Sequence, residues 1–190
     1  MEKTVEIRQG RRLKLIEGDI TRIRADAIVN AANGSLAGGG GVDGAIHDAG
    51  GPTIMRELDR IRPSVGRVTA GQAVATAAGR LPAKWVFHAV GPIYRDGTKG
   101  EAESLRSCYR TCLRMAEERG ARTISFPSIS TGAYGYPAAD AARIAVGEVV
   151  RFLNEEAVGV EEVLLVLFGR LAYKEHERAL SSALSLEAGG

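Results

Sequence analysis

Short apolar runs alternate with amphipathic stretches along the 190-residue chain. Residues 163–168 are six consecutive apolar positions, which is typical of a central strand buried on both faces. Between residues 101 and 119 the apolar positions recur at helical period and stop at Gly120, which predicts an amphipathic helix. Runs of this kind predict seven strands, at residues 5–9, 13–16, 27–29, 72–77, 85–90, 124–129 and 163–168.

Amphipathic stretches between these strands predict five helices, at residues 43–49, 52–61, 101–119, 137–153 and 173–184. The second is expected to begin at Pro52 and to end before Pro63, because proline suits a first helical turn and interrupts an interior. Strands alternating with helices predict an α/β fold, a three-layer α/β/α sandwich around a mixed, mostly parallel sheet. Its length fits one domain, residues 1–190.

Composition narrows the class of protein. The chain has 25 basic and 23 acidic residues, a formal net charge of +2, which does not indicate a dedicated binder of phosphate backbones. No apolar run approaches the roughly 20 residues that a membrane span requires. Glycine is the unusual residue: there are 24 in 190, about twice the usual share. Eight of them fall between Gly34 and Gly51, inside apolar sequence, where a flexible linker is not expected.

Cysteine and histidine are sparse. Cys108 and Cys112 lie four residues apart, a spacing that predicts one buried helix face, and the three histidines are scattered. This pattern does not indicate a metal site, and neither a metal nor a cofactor is expected. The first residues lack the apolar stretch of a secretory signal, so we expect a cytoplasmic protein with reduced thiols and no membrane association.

Two glycine-containing loops leave predicted strand ends and run into helix starts. The first spans residues 30–47 and the second residues 128–137. Ligands of open α/β sheets bind outside the carboxyl ends of strands. Glycine next to a helix N-terminus offers free backbone N–H groups and no Cβ to block approach, which suits a phosphate. Two such loops predict a diphosphate held between them, and ordinary packed turns are the alternative.

Polar side chains in the first loop carry the candidate chemistry. Asn30 and Asn33 follow a buried strand, where their amides suit sugar hydroxyls; turn formation is the alternative. Asp43 is read either as a helix N-cap or as a carboxylate that positions a water or a ribose hydroxyl. His47 lies one helical turn further on the same face, and is either a catalytic group or a structural histidine.

Two further side chains admit two interpretations each. Tyr134, in the second loop, either covers the face of a sugar or caps the following helix. Asp19 either accepts a hydrogen bond from an adenine amino group or caps a short helix.

Several reaction classes are disfavoured. A G-x-x-x-x-G-K-[ST] motif is absent, which excludes a P-loop nucleotidase. A G-x-G-x-x-G match at Gly39, Gly41 and Gly44 lies well beyond the strand end, so a nicotinamide oxidoreductase is a weak alternative. No lysine lies between Lys14 and Lys84 to form a Schiff base, and no G-x-S-x-G elbow occurs. Activation of water therefore fits better than covalent catalysis.

Several segments resemble the macrodomain family and specifically its MacroD-type branch, and they occur along the chain in the order that the family shows. The most specific is residues 38–47, GGGGVDGAIH, which follows Asn-Ala-Ala-Asn at residues 30–33. Residues 130–137, STGAYGYP, match the second loop of that family. Residues 18–21 and 81–92 match as well, whereas residues 67–71 and 168–171 depart from the common pattern.

The similarity covers residues 10–184 and implies a single macrodomain whose central sheet is six-stranded. It implies that Asp43 assists catalysis, that Asn33 positions the distal ribose and that Asn30 lies beside that ribose. The catalytic candidates are therefore Asp43, Asn33 and Asn30, and the spacing of His47 from Asp43 adds His47. For the ligand ADP-ribose, it implies contacts around the adenine, the diphosphate and the second ribose. The implied ligand-binding residues are Asp19, Ile20, Ala32, Gly40, Gly41, Val42, Ser130, Thr131, Gly132, Ala133, Tyr134 and Phe168.

The same resemblance implies a metal-independent hydrolase that releases ADP-ribose from esters by attack of water. The implied substrates are O-acetyl-ADP-ribose and proteins mono-ADP-ribosylated on aspartate or glutamate, with ADP-ribosylated nucleic acid ends as a further class. The alternative is a module that binds ADP-ribose without turnover. We expect a monomer.

Overall fold

In the computed structural model, which describes residues 1–188, seven strands pair into one sheet. In chain order they are β1 (Glu2–Arg8), β2 (Arg11–Glu17), β3 (Ala27–Ala32), β4 (Ala73–Ala77), β5 (Trp85–Val90), β6 (Thr123–Phe126) and β7 (Glu162–Leu167). Their spatial order is β1-β2-β7-β6-β3-β5-β4. The five inner strands are parallel and both edge strands are antiparallel to their neighbours, which confirms a mixed, mostly parallel sheet.

The expected number of six strands was wrong by one, although every segment predicted as a strand forms one. The edge strand β1 continues the sheet through a tight turn at Gly10, whose φ of 74° suits glycine. Val5 and Ile7 on β1 pack against the core, so this edge hairpin is part of the fold.

Five α-helices connect the strands: α1 (Gly41–Gly50), α2 (Pro52–Val65), α3 (Glu101–Glu118), α4 (Ala138–Glu155) and α5 (Arg170–Ala188). The prediction that α2 ends before Pro63 was wrong. Pro63 lies in the last turn, where the missing N–H removes a single helical bond, and α2 ends only at Val65, with Gly66 as its C-cap. The φ of Gly66 is 63°, and its N–H donates to the carbonyl of Arg62 over 2.9 Å.

Two strands end earlier than their apolar runs. β6 ends at Phe126 instead of residue 129, and β7 ends at Leu167, so Phe168 falls outside the strand. The segment after each strand instead turns toward the next helix. Both segments therefore lie as loops at the edge of the sheet where the parallel strands end.

The sheet is covered on both faces, which gives three layers. Side chains of β7 alternate between the two faces: Val163 and Leu165 pack into the larger core with α3, α4 and α5, and Leu164 and Val166 into the smaller one with α1 and α2. This confirms the predicted α/β/α sandwich. Within the described part of the chain, no helix has the length and apolar character to cross a membrane.

Candidate ligand-binding cleft

Two adjoining cavities open where β3, β5, β6 and β7 end. The glycine-loop cavity, of about 430 Å³, has walls from the loops after β3, β5 and β6. The apolar cavity, of about 520 Å³, lies toward β7 and contains Ile20, Val166 and Phe168. Because Gly41, Val42, Ser128 and Gly132 line both, the two form one elongated cleft at the predicted edge of the sheet.

The structure brings most of the predicted site residues to this cleft. Those that line the glycine-loop cavity are Ala32, Asn33, Gly40, Gly41, Val42, Asp43, Ser130, Gly132, Ala133 and Tyr134. Those that line the apolar cavity are Asp19, Ile20, Gly41, Val42, Thr131, Gly132 and Phe168. Two predicted residues, Asn30 and His47, line neither cavity.

The first glycine loop is held in shape by the side chain of Asn33. Its Nδ2 donates to the carbonyl of Gly38 over 2.7 Å, and its Oδ1 accepts from Ser35 Oγ and from the N–H of Ala37. The loop leads into α1 with Gly40 as N-cap, where no side chain caps the free N–H groups. A Cβ at Gly40 would meet no protein atom, so the missing side chain leaves space in the cavity wall.

The second loop has an unusual backbone at Ser130. Its φ of 65° is uncommon for a residue with a side chain, and its buried hydroxyl has no hydrogen-bond partner among the described residues. Gly91, at the end of β5, makes room for this hydroxyl, since a Cβ there would overlap Ser130 Oγ. Strained backbone and an unsatisfied polar group are features of functional sites.

The loop after β5 forms a third wall that sequence reasoning had not identified. Gly91 lines the glycine-loop cavity, and the N–H of Tyr94 donates to the carbonyl of Tyr134 over 2.9 Å, which ties this loop to the second one. Glu101 anchors it by accepting from backbone N–H groups, including those of Arg95 and Lys99. These bonds outweigh burial and lower the pKa of Glu101 to about 2. This wall could have been predicted from the sequence, because β5 is a buried strand and ligands bind beyond the carboxyl ends of such strands.

Asp43 lies in the first turn of α1 and lines the glycine-loop cavity, with only 5% of its surface exposed. The N-cap is Gly40, so the alternative reading of Asp43 as an N-cap was wrong. Its Oδ1 accepts from Asn30 Nδ2 over 2.6 Å and lies 3.3 Å from His47 Nε2. A carboxylate in a helix's first turn is also favoured by the helix dipole.

Asn30 is fully buried behind Asp43 and is linked to a second polar pair. Its Nδ2 also contacts Nδ1 of His88 at 3.1 Å, and Nε2 of His88 contacts Thr76 Oγ1 at 2.9 Å. Burial, together with the nearby His47, lowers the pKa of His88 to about 3, so its imidazole is neutral. Neither His88 nor Thr76 was predicted as a site residue, because each reads as one polar residue in an apolar strand.

His47 approaches Asp43 from the side of α1. It lines a neighbouring, more open cavity of about 420 Å³ together with Asp48, Pro52 and Met55, and Gly39 lies between this cavity and the cleft. Its side chain is 14% exposed, and its Nε2 has no hydrogen-bond partner within the described residues. The structure therefore places His47 beside the carboxylate but outside the cleft.

The apolar end of the cleft combines one carboxylate with flat apolar surfaces. Asp19 caps the short 3₁₀ helix Ile20–Arg22, since its Oδ1 accepts from the N–H and the hydroxyl of Thr21. This geometry confirms the capping interpretation, while Asp19 also lines the cavity. Phe168 is 88% exposed and lies at the cavity rim.

No lysine or arginine among residues 1–188 lines either cavity of the cleft. Within the same residues, no three His, Cys, Asp or Glu side chains are grouped so that they could hold a metal ion. Cys108 and Cys112 are buried on α3, as their spacing predicted, and burial raises the pKa of Cys108 to about 12. An anion in this cleft would therefore meet backbone N–H groups and helix ends.

Comparisons with known proteins agree with this geometry. A family model described as Macro domain matches residues 29–145. A Streptomyces griseus protein named macro domain-containing protein in non 5'region is 55% identical over 172 residues, which cover 89% of this chain and 94% of that protein. An O-acetyl-ADP-ribose deacetylase of Salmonella newport is 50% identical over 170 residues, or 90% of this chain and 94% of that enzyme.

Solved structures show the same fold. The Oceanobacillus iheyensis macrodomain with ADP superposes with a TM-score of 0.92 at 39% identity, over 97% of each chain. The Trypanosoma brucei macrodomain in complex with ADP-ribose gives a TM-score of 0.80 at 40% identity, over 88% of this chain and 68% of that one.

Proposed function

The chain belongs to the macro domain family, and from this we propose that it binds ADP-ribose in the cleft and hydrolyses ADP-ribosyl esters. The observation that carries the proposal is Asp43, a nearly buried carboxylate that lines the cavity between two glycine loops. We also propose that residues 1–190 form a single macrodomain, because all five described helices pack on one sheet.

In the proposed complex, the diphosphate lies between the two glycine loops. Among the described residues, no protein atom lies within 4 Å of a Cβ built at Gly40 or Gly132, so this space is open to phosphate oxygens, which backbone N–H groups of the loops would bind. The adenine occupies the apolar cavity, between Ile20 and Phe168 and near the carboxylate of Asp19. The second ribose lies at the opposite end of the cleft, beside Asn33, Asp43 and Tyr134.

The proposed reaction is attack of a water molecule on the ester, with release of the acid and free ADP-ribose. Oδ1 of Asp43 already accepts from Asn30, and no hydrogen bond within the described residues reaches its Oδ2. That oxygen is therefore available to orient the water and take up its proton. The proposed substrates are O-acetyl-ADP-ribose, on which the Salmonella relative is named to act, and esters of protein aspartate and glutamate.

Replacement of Asp43 by alanine tests this assignment. We expect kcat for O-acetyl-ADP-ribose to fall by about a hundredfold or more, because general-base assistance typically contributes about 10²–10⁴ in rate. The affinity for ADP-ribose should change far less, since backbone N–H groups hold the diphosphate. Release of acetate and isothermal titration calorimetry measure the two effects separately.

Asp48 provides a matched control, because it lies on the same helix and lines the cavity outside the cleft. An Asp48→Ala variant should retain wild-type turnover. Unchanged turnover in Asp43→Ala would contradict the catalytic assignment of Asp43. Binding of ADP-ribose by the wild type with no product from any ester would favour the alternative, a binding module without turnover.

A further inference from the structure

A chain of hydrogen bonds runs behind the cleft, from β4 through β5 and β3 to α1. Its members are Thr76, His88, Asn30 and Asp43, and each has at most 5% of its surface exposed. Only Asp43 lines the cleft. Polar groups so deeply buried are costly unless their hydrogen bonds are made, so the direction of each bond can be assigned by counting donors and acceptors.

The hydroxyl of Thr76 lies at one end of this chain. Its single hydrogen is assigned to the carbonyl of Ala77, 3.0 Å away, because Nδ1 of His88 faces the donor-only Nδ2 of Asn30 and the hydrogen of the neutral ring then lies on the side of Oγ1. Nε2 of His88, 2.9 Å away, therefore carries the hydrogen of the neutral ring. Nδ1 is left with a lone pair, which accepts from Nδ2 of Asn30 at 3.1 Å.

The donors and acceptors around Asn30 likewise determine the orientation of its amide. Nδ2 has two hydrogens, one for His88 Nδ1 and one for Asp43 Oδ1 at 2.6 Å. A flipped amide would place Oδ1 against both the lone pair of His88 and the carboxylate, with no hydrogen between them. Among the described residues, the buried Oδ1 of Asn30 has no hydrogen-bond partner, which costs desolvation free energy. The two hydrogen bonds of Nδ2 stabilise this orientation of the amide despite that cost.

We propose that His88 and Thr76 are positioning residues, which orient the carboxylate of Asp43 by holding the amide of Asn30 with its N–H toward Oδ1. This inference rests on the proposed function, because it concerns how the catalytic carboxylate is held. With Oδ1 held by Asn30, the carboxylate keeps one orientation, and Oδ2 is left for the attacking water. Within the described residues, the titratable group that faces Asp43 directly is His47, and His88 faces it only through Asn30.

Two substitutions of His88 separate this role from simple packing. In His88→Leu no acceptor remains for Asn30, whereas in His88→Asn the amide oxygen can replace Nδ1 as acceptor. We expect kcat of His88→Leu to fall about ten- to a hundredfold, because an amide that is no longer held loses its bond to the Asp43 carboxylate, and a hydrogen bond to a charged group is worth about that factor. The Kd for ADP-ribose should stay within about threefold, because a positioning residue acts on turnover. His88→Asn should recover most of the wild-type kcat.

His176 supplies the matched control, since it is another buried histidine whose Nδ1 contacts the carbonyl of Ala172 on α5. His176→Leu should lower stability and leave kcat unchanged. If His88→Leu does not fold, Thr76→Val replaces it, with a smaller loss of kcat, because valine removes only the acceptor that selects the tautomer. Wild-type kcat in the folded variants, or a His88→Asn variant as impaired as His88→Leu, would overturn the proposal.

A measurement that needs no turnover completes the test. Long-range ¹H–¹⁵N NMR of the wild type should show the His88 ring neutral, with the hydrogen on Nε2, between pH 5 and 8. A hydrogen on Nδ1 would overturn the proposal whatever the activity. Absence of turnover in the wild type would contradict the proposed hydrolysis, whereas an active wild type with an unimpaired His88→Leu variant would contradict the positioning role alone.

Discussion

Asn33 combines a structural and a ligand-facing role at the level of a single side chain. Its amide makes three hydrogen bonds within residues 33–38, and it also lines the glycine-loop cavity. The sequence offered turn formation and sugar binding as alternatives for this residue. The structure supports turn formation directly, and contact with the ribose remains a proposal.

Removal of the Asn33 side chain should therefore cost both stability and affinity. We expect Asn33→Ala to lower the free energy of unfolding by about 1–2 kcal/mol, because the carbonyl of Gly38 loses its partner. The affinity for ADP-ribose should fall as well. Urea unfolding and calorimetry measure the two effects. Ser35→Ala is the control, since it removes only one outer bond; an Asn33→Ala variant as stable as the wild type would contradict the structural role.

Single residues were predictable where a glycine loop leads from a strand into a helix, as for Asp43 at the start of α1 and Ser130 in the loop after β6. Thr76 and His88 were not, because their partners lie on other strands and only the three-dimensional structure joins them. The relation of Gly91 to Ser130 is likewise a contact between two loops. His47 was predicted to share a face with Asp43, and it does, but Asp43 lines the cleft whereas His47 lines the neighbouring cavity.

Among the elements, the second glycine loop has a glycine, Gly132, that is explained by space for a ligand and not by backbone conformation. Gly132 has no φ in the left-handed region, and a Cβ there would meet no protein atom, so the protein alone does not require glycine at this position. Gly132 lines both cavities of the cleft, and we infer that glycine is needed there to keep the cleft open for a ligand. Small side chains at this position would project into the proposed path of the diphosphate.

Gly132→Val should accordingly leave stability within about 1 kcal/mol of the wild type and reduce the affinity for ADP-ribose by at least about tenfold, or 1.4 kcal/mol. Gly147 is the matched control, since it is exposed on α4 with open space around its Cα. Gly147→Ala should raise stability by about 0.5–1 kcal/mol with no change in affinity. Thermal unfolding and calorimetry decide; full affinity in Gly132→Val would contradict the proposed diphosphate site.

Element types were predictable from periodicity, and element ends less so. The turn residues marked β1, β2 and β5 well, because glycine and proline follow or precede them. The end of α2 was misplaced because one proline in a final turn removes little hydrogen bonding. The early end of β7 was missed because Phe168 continues an apolar run, although the structure exposes it at the rim of the cleft.

For the whole molecule, two buried histidines connect stability to pH. His88 and His176 are neutral in the folded protein, because burial lowers the pKa of each below the ordinary value. Unfolding exposes both rings, and the unfolded chain then binds protons that the folded chain does not bind. Stability is therefore fully present above pH 6.5 and decreases as the pH falls below that value.

We expect the free energy of unfolding to decrease between pH 6.5 and 5, by up to about 1.4 kcal/mol per pH unit for each histidine. Urea unfolding at several pH values measures this slope above the range in which most carboxylates titrate. His176→Gln should make the slope shallower, since one of the two groups is removed. A stability that is constant between pH 7 and 5 would contradict the neutral, buried state of both rings.

The three-layer architecture followed from the alternation of elements, whereas the shape of the cleft did not. Two cavities that share Gly41 and Gly132 depend on how loops from four strands meet. The near-neutral charge is consistent with this shape, because backbone N–H groups and helix ends would hold the anion without basic side chains. The proposed function thus depends on a backbone arrangement that composition alone does not reveal.

Hydrolysis of an ADP-ribosyl ester is the activity on which these proposals depend, and one experiment measures it directly. The purified chain is incubated with O-acetyl-ADP-ribose, and the reaction is followed by ¹H NMR. Acetate and ADP-ribose should appear in equal amounts, at a rate proportional to the protein concentration. Saturable binding of ADP-ribose with no acetate released over hours would contradict hydrolysis and leave a binding module.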